Sequence, residues 1–158
     1  MFVVARALAY SALFIGLLLV YLPARLLSWS GFVRPAVFEA RQFAGMTVGA
    51  AGAALALWCI FTFALAGRGT PLPLDPPRRL VVGGPYRLVR NPMYVGAALA
   101  LFGAALFYES LPLAAYAALF LLATHLLVVF YEEPALRETF GPDYGAYRGR
   151  VGRWWPRF

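Results

Sequence analysis

Residues Arg78–Tyr94 read RRLVVGGPYRLVRNPMY, a polar stretch between apolar runs, and its reading decides how the chain is organised. Gly83-Gly84-Pro85 is a turn signal, because Gly admits backbone angles that other residues resist and Pro interrupts regular hydrogen bonding. Asn91-Pro92 then reads as a helix N-cap followed by Pro at the first helical position. The helix starting there runs straight into VGAALALFGAALF, so its positive end faces the polar stretch. Such an end can receive a carboxylate or another anionic group. A second polar stretch, Glu132–Tyr147 (EEPALRETFGPDYGAY), follows a hydrophobic hairpin that brings both stretches to one membrane face.

Hydrophobic residues make up 62% of the 158 positions, too much apolar surface for a soluble domain to hide. Apolar runs at Phe2–Leu22, Phe43–Ala66, Pro92–Tyr108 and Leu111–Tyr131 predict four spans. The expected fold is an all-α integral membrane protein of one domain, 1–158. It has about four transmembrane helices, a loop over Gly67–Asn91 and an amphipathic C-terminal helical tail. Phe2–Leu22 reads as a span ending at Pro23, not as a cleaved signal peptide, because no small-x-small site follows it. Residues 23–42 then connect it to the second span. Gly45, Gly49 and Ala53 lie four apart on one face, as do Gly96, Ala100 and Ala104, a spacing that lets helices approach closely.

The loop carries five prolines, yet Leu80, Val81, Val82 and Tyr86 suit a functional surface better than a tether. Pro134 predicts a kink where the fourth span leaves the membrane. Leu136, Phe140, Tyr144, Tyr147 and Val151 keep helical spacing across a break at Gly141-Pro142, so this tail lies on the membrane or folds back over the loop. Arg153–Phe158 (RWWPRF) resembles an interfacial anchor.

All fourteen basic residues are Arg, and eleven fall on the side shared by the N-terminus, the loop and the tail. The positive-inside rule makes that side cytoplasmic, and topology explains the net charge of +7 better than nucleic-acid binding does. Cys59 is the only cysteine, so no intrachain disulfide forms. His125 is the only histidine and reads as a buried, hydrogen-bonded structural residue; no metal site is expected.

GPYRLVRNPMYVG, followed about forty residues later by EEPALRETFGPDYGAYRGRV, resembles the isoprenylcysteine carboxyl methyltransferase and phospholipid methyltransferase superfamily. The resemblance runs from about Arg68 to the C-terminus; residues 1–66 match only as two unspecific apolar spans, and 67–158 become the cofactor-binding core. It implies a multi-pass membrane enzyme that uses S-adenosylmethionine on a lipid or isoprenoid-linked substrate, set in the inner (plasma) membrane of a prokaryote. Carried over residue by residue, it implies cofactor contacts at Arg78, Arg79, Leu80, Val81, Tyr86, Asn91, Pro92, Met93, Tyr94 and Glu132. Glu132 is the expected partner of the methionine amino group. Glu133 points about 100° away on a helix, and its reading stays open between a part in the site and a solvated interface carboxylate.

Arg90, Arg137 and Arg148 are candidate substrate holders, and Gly96 a candidate wall of a lipid tunnel between the third and fourth spans. Two departures bear on the substrate. Asn91 stands where many relatives have His, and it can donate a hydrogen bond but cannot act as a base near neutral pH. Val128 stands where the eukaryotic carboxyl methyltransferases carry a substrate-contacting Arg. Two other classes compete with the methyltransferase reading: an NADPH-dependent membrane reductase of related architecture, and a non-enzymatic tetraspan scaffold.

Overall fold

The computed structural model describes residues 16–31, 37–66 and 79–157. Among these residues the architecture is helical, and the one trace of β pairing is an isolated parallel bridge between Val89 and Gly152. The helices are α1 (Gly16–Trp29), α2 (Ala40–Ala66), α3 (Pro92–Phe107), α4 (Leu111–Leu127) and α5 (Glu133–Arg150).

Two stretches among the described residues are long and apolar enough to cross a membrane, Ala40–Phe63 and Leu111–Arg150. This corrects the expectation of four spans. Helix α3 has 16 residues and rises about 24 Å at ~1.5 Å per residue, short of the ~30 Å hydrocarbon core. Of the first expected span, only the part from Gly16 lies within the described residues. That part does not stop at Pro23 either: the helix continues through it to Trp29.

A widened, π-helical stretch at Gly16–Tyr21 precedes Pro23, and another at Val128–Glu132 precedes Pro134. Proline lacks the N–H of the regular ladder and its ring collides with the carbonyl four residues back. Widening the helix just ahead of it relieves both problems without ending the helix. The expected kink at Pro134 is therefore a π-turn, and the abrupt change of direction falls at Gly141 (φ 48, ψ −122).

Helices α2 and α3 run antiparallel and meet backbone to backbone. A methyl group on Gly52 would sit 2.5 Å from the Ala100 nitrogen, and one on Gly45 would sit 2.7 Å from the Gly103 carbonyl. The seam is thus Gly45, Gly49 and Gly52 against Gly103, Ala100 and Gly96. Ala53 and Ala104, expected in these faces by the four-residue count, give way to Gly52 and Gly103 one position earlier. At the end of the seam, Glu109 adopts a positive φ of 48° in the turn to α4, and the Ser110 hydroxyl accepts the Leu113 N–H at 3.3 Å to cap it. Gln42 donates to Glu109 at 2.8 Å and Arg41 pairs with it at 3.2 Å, tying this turn to the start of α2.

Tyr94, Ala97, Ala98 and Leu101 of α3 pack with Ala117 and Phe120 of α4 and with Val128; Leu18 and Leu19 of α1 close over them. Outward-facing positions are also apolar, including Phe43, Leu57, Trp58 and Phe61 on α2 and Leu119, Leu122 and Phe130 beyond them. Small residues face inward and large apolar ones face out, which is the pattern of helices surrounded by lipid.

Candidate functional site

The loop before α3 is laid against the end of α2. Gly84 takes a positive φ of 56°, which glycine tolerates, and starts a single 3-10 turn over Gly84–Arg87. A methyl on Gly84 would come within 3.0 Å of the Thr62 hydroxyl, so the chain passes close to α2 here. Val81 and Tyr86 consequently bury themselves against Cys59 of α2, with Leu55, Phe63 and Met93 around them. The result is an apolar cluster packed between the loop, α2 and α3. Burial first, then the nearby Cys59, Tyr147 and Glu132, push the Tyr86 phenol far above its ordinary range, so it remains neutral.

The tail folds back over this loop, one of the two arrangements expected for it. Tyr144, Tyr147 and Val151 form a small core with Leu80, Leu136 and Phe140. The Tyr147 hydroxyl donates to the Tyr86 carbonyl at 2.7 Å. The Arg90 N–H donates to the Gly152 carbonyl at 2.8 Å. Asn91 sits at the N-cap position of α3, but its side chain does not cap the helix; its Nδ2 donates to the Arg153 carbonyl at 3.3 Å. The two polar stretches of the sequence are therefore in direct contact.

Adjacent carboxylates at the π-turn have separate partners. Glu132, partly buried, accepts a hydrogen bond from the Tyr94 hydroxyl. Glu133 is buried and receives Arg153 through Nε at 2.6 Å and Nη2 at 3.0 Å, with Arg90 Nη1 at 3.1 Å. The solvated reading of Glu133 is corrected: its side chain is 4% exposed, because the returning tail carries Arg153 over it. Arg90 is enclosed as well, and its Nη1 also donates to the Tyr144 hydroxyl at 3.2 Å, while its buried Nε has no protein partner.

The remaining candidates are spread out. Leu80 faces the tail core, Pro92 is buried at the start of α3, and Arg79 is exposed; Arg78 lies outside the described residues. Arg137, half exposed, stands 3.9 Å from Glu133, and Arg148 is exposed on the tail. Gly96 does not face α4. A methyl there would meet the Gly52 carbonyl at 2.7 Å and the Ala56 nitrogen at 2.8 Å, so Gly96 is part of the seam with α2. Val128 is buried in the core. His125 accepts from Trp154 Nε1 at 3.1 Å, which supplies the hydrogen bond expected for a structural histidine.

Sequence reasoning missed Cys59, Tyr144, Tyr147 and Arg153. Tyr144 and Tyr147 were visible as one apolar face of the tail, but nothing in RWWPRF marks Arg153 as the partner of a carboxylate 20 residues earlier. A partly buried carboxylate, oriented by a tyrosine and set near buried aromatic side chains, suits a small cation.

Comparison with known proteins bears on this arrangement. A family model described as phospholipid methyltransferase matches residues 40–143. No curated protein and no solved structure shows a significant match to the chain. The matched region contains the α2–α3 seam, the loop, the Tyr94–Glu132 pair and Glu133 with its Arg90 partner, and it spans well over half of the sequence. The chain belongs to the phospholipid methyltransferase family.

Proposed function

We propose that this protein is an S-adenosylmethionine-dependent methyltransferase that modifies a lipid or isoprenoid-linked substrate, through a carboxylate or an amine, at the membrane face. Family membership supports methyl transfer to a lipid. The observation that carries the cofactor reading is the Tyr94–Glu132 pair beside the apolar cluster of Val81, Tyr86, Cys59 and Met93.

S-adenosylmethionine has cationic, anionic and aromatic parts, and the residues present suit each. Glu132 suits the amino group, the apolar side chains of the cluster suit the adenine, and the Arg90 guanidinium, whose Nε has no protein partner, suits a carboxylate. The other contacts assigned to the cofactor are Arg78, Arg79, Leu80 and Asn91–Tyr94. When bound, the cofactor supplies an electrophilic methyl group. Tyr94 holds the Glu132 carboxylate in one orientation, and the tail, tied to the loop by the Tyr147 hydroxyl, covers the apolar cluster, a surrounding that favours the cancelling of charge during transfer. Arg90 and Glu133 are mutually paired, so of the substrate-holder candidates Arg137 and Arg148 retain the greater freedom to meet a lipid headgroup.

On this reading the chain is a multi-pass protein with the loop and tail in the cytoplasm, in the inner (plasma) membrane of a prokaryote. The test is transfer of a labelled methyl group from S-adenosylmethionine to extracted membrane lipids by the purified protein. Label in the lipid fraction that disappears in Glu132→Gln supports the proposal; no label with any lipid or prenylated acceptor contradicts it.

A further inference from the structure

Residues 144–158 lie beyond the region that the family model matches. Yet one residue there, Arg153, bonds a sequence neighbour of each half of the Tyr94–Glu132 pair. The Arg153 guanidinium holds Glu133, the immediate neighbour of Glu132, with two hydrogen bonds of 2.6 and 3.0 Å. The Arg153 carbonyl takes the Asn91 side chain, three residues before Tyr94. On one side, the adjacent Gly152 carbonyl accepts the Arg90 N–H at 2.8 Å, and Gly152 forms the parallel bridge with Val89. On the other, Trp154 donates to His125 on α4 at 3.1 Å. Three consecutive residues thus connect the loop, the start of α3, the π-turn and α4.

This matters for direction as well as for stability. Glu132 is the last residue of the widened turn and Glu133 the first of α5, so clamping Glu133 fixes the rotation of its neighbour. A π-turn has a looser register than an α-helix and needs an outside hold to keep a single orientation. The Arg153–Glu133 contact is such a hold; it is strong because it is two-pronged and charged. Resting on the cofactor reading above, we propose that Gly152–Trp154 is a strap belonging to the active site, with Arg153 the positioning residue that aims Glu132 at Tyr94 and at the cofactor.

The test is a double-mutant cycle on the full-length protein in detergent, read by calorimetric titration with S-adenosylhomocysteine. Arg153→Gln weakens binding at least tenfold, and Arg153→Lys, which keeps the charge but not the fork, recovers part of it. Adding Glu132→Gln to Arg153→Gln then costs less than threefold more, because Glu132 is already misdirected. Arg157→Gln, whose exposed guanidinium only reaches the Gly149 carbonyl at 3.4 Å, binds like the parent. Fully multiplicative losses for Glu132→Gln and Arg153→Gln overturn the proposal, since Glu132 is then aimed without Arg153.

A second readout needs no cofactor. Hydrogen exchange at the Arg90 amide, which Gly152 accepts, accelerates in Arg153→Gln and in the milder Trp154→Phe. Unchanged exchange in both removes the strap whatever the cofactor is. Accelerated exchange in the variants of a parent protein that does not bind S-adenosylhomocysteine overturns the link to the cofactor and leaves the strap as a structural device. If Arg153→Gln fails to fold, Trp154→Phe carries both measurements, with an expected binding loss of about threefold.

Discussion

The glycine seam between α2 and α3 and the polar junction under the tail hold the molecule together by opposite means. In the seam there are almost no side chains: backbones meet because Gly52, Gly96 and Gly103 leave room for them. At the junction, long Arg, Tyr and Glu side chains reach across gaps left by a loop, a wide helical turn and a returning tail. The seam leaves no room for added atoms at Gly45, Gly52, Gly96 or Gly103, and it carries no charged or titratable side chain. The junction carries charge and directed hydrogen bonds, and every contact in it depends on a partner distant in sequence. A fixed pair of helices thus provides the frame on which the polar junction is assembled from longer, jointed parts.

The comparison fails most visibly if the junction is merely a surface. Glu133→Ala leaves Arg90 and Arg153 without their shared carboxylate, and removing one partner of a buried pair costs about 3–5 kcal/mol. The expected outcome is a large loss of thermal stability in detergent; a shift within error would mean that water already screens the cluster. Gly96→Leu tests the other region. Overpacking costs about 1–3 kcal/mol and more when backbone cannot move, and here the added atoms meet the Gly52 carbonyl and the Ala56 backbone. Stability, S-adenosylhomocysteine affinity and lipid methylation should fall together. Loss of methylation with affinity and stability intact would instead restore Gly96 as a tunnel wall. Arg137→Gln has the smallest expected effect on stability, within about 0.5 kcal/mol, because its 3.9 Å approach to Glu133 is half exposed. A lowered rate of lipid methylation at unchanged cofactor affinity would sharpen its role toward the headgroup.

The two regions were unequally legible in the sequence. Small residues at helical spacing announce a seam, and the error there was a single step, from Ala53 to Gly52 and from Ala104 to Gly103, because helical faces drift from a strict four-residue count. The hairpin joining the two polar stretches was readable from hydrophobicity alone. What could not be read was the pairing within the junction. Asn91 looks like a cap but gives its side chain to Arg153, and Glu133 looks like a surface carboxylate until the tail returns over it. Such contacts depend on where Gly141 turns the chain, and a glycine in sequence shows that a bend is allowed without showing its direction. Pro23 was misread for a related reason: it looks like the end of a span, but a π-turn ahead of it lets the helix continue to Trp29.

On the function proposed above, the two neighbours divide the labour: Glu132 serves the cofactor and Glu133 the fold. Calorimetric titration of S-adenosylhomocysteine into the parent protein and into Glu132→Gln, each with a thermal melt, tests it most directly. The account predicts that the parent binds and that Glu132→Gln loses about 1.5–3 kcal/mol of binding, the scale of a hydrogen bond to a charged group, with its melting temperature little changed. No binding by the parent, or equal binding by Glu132→Gln, would contradict it.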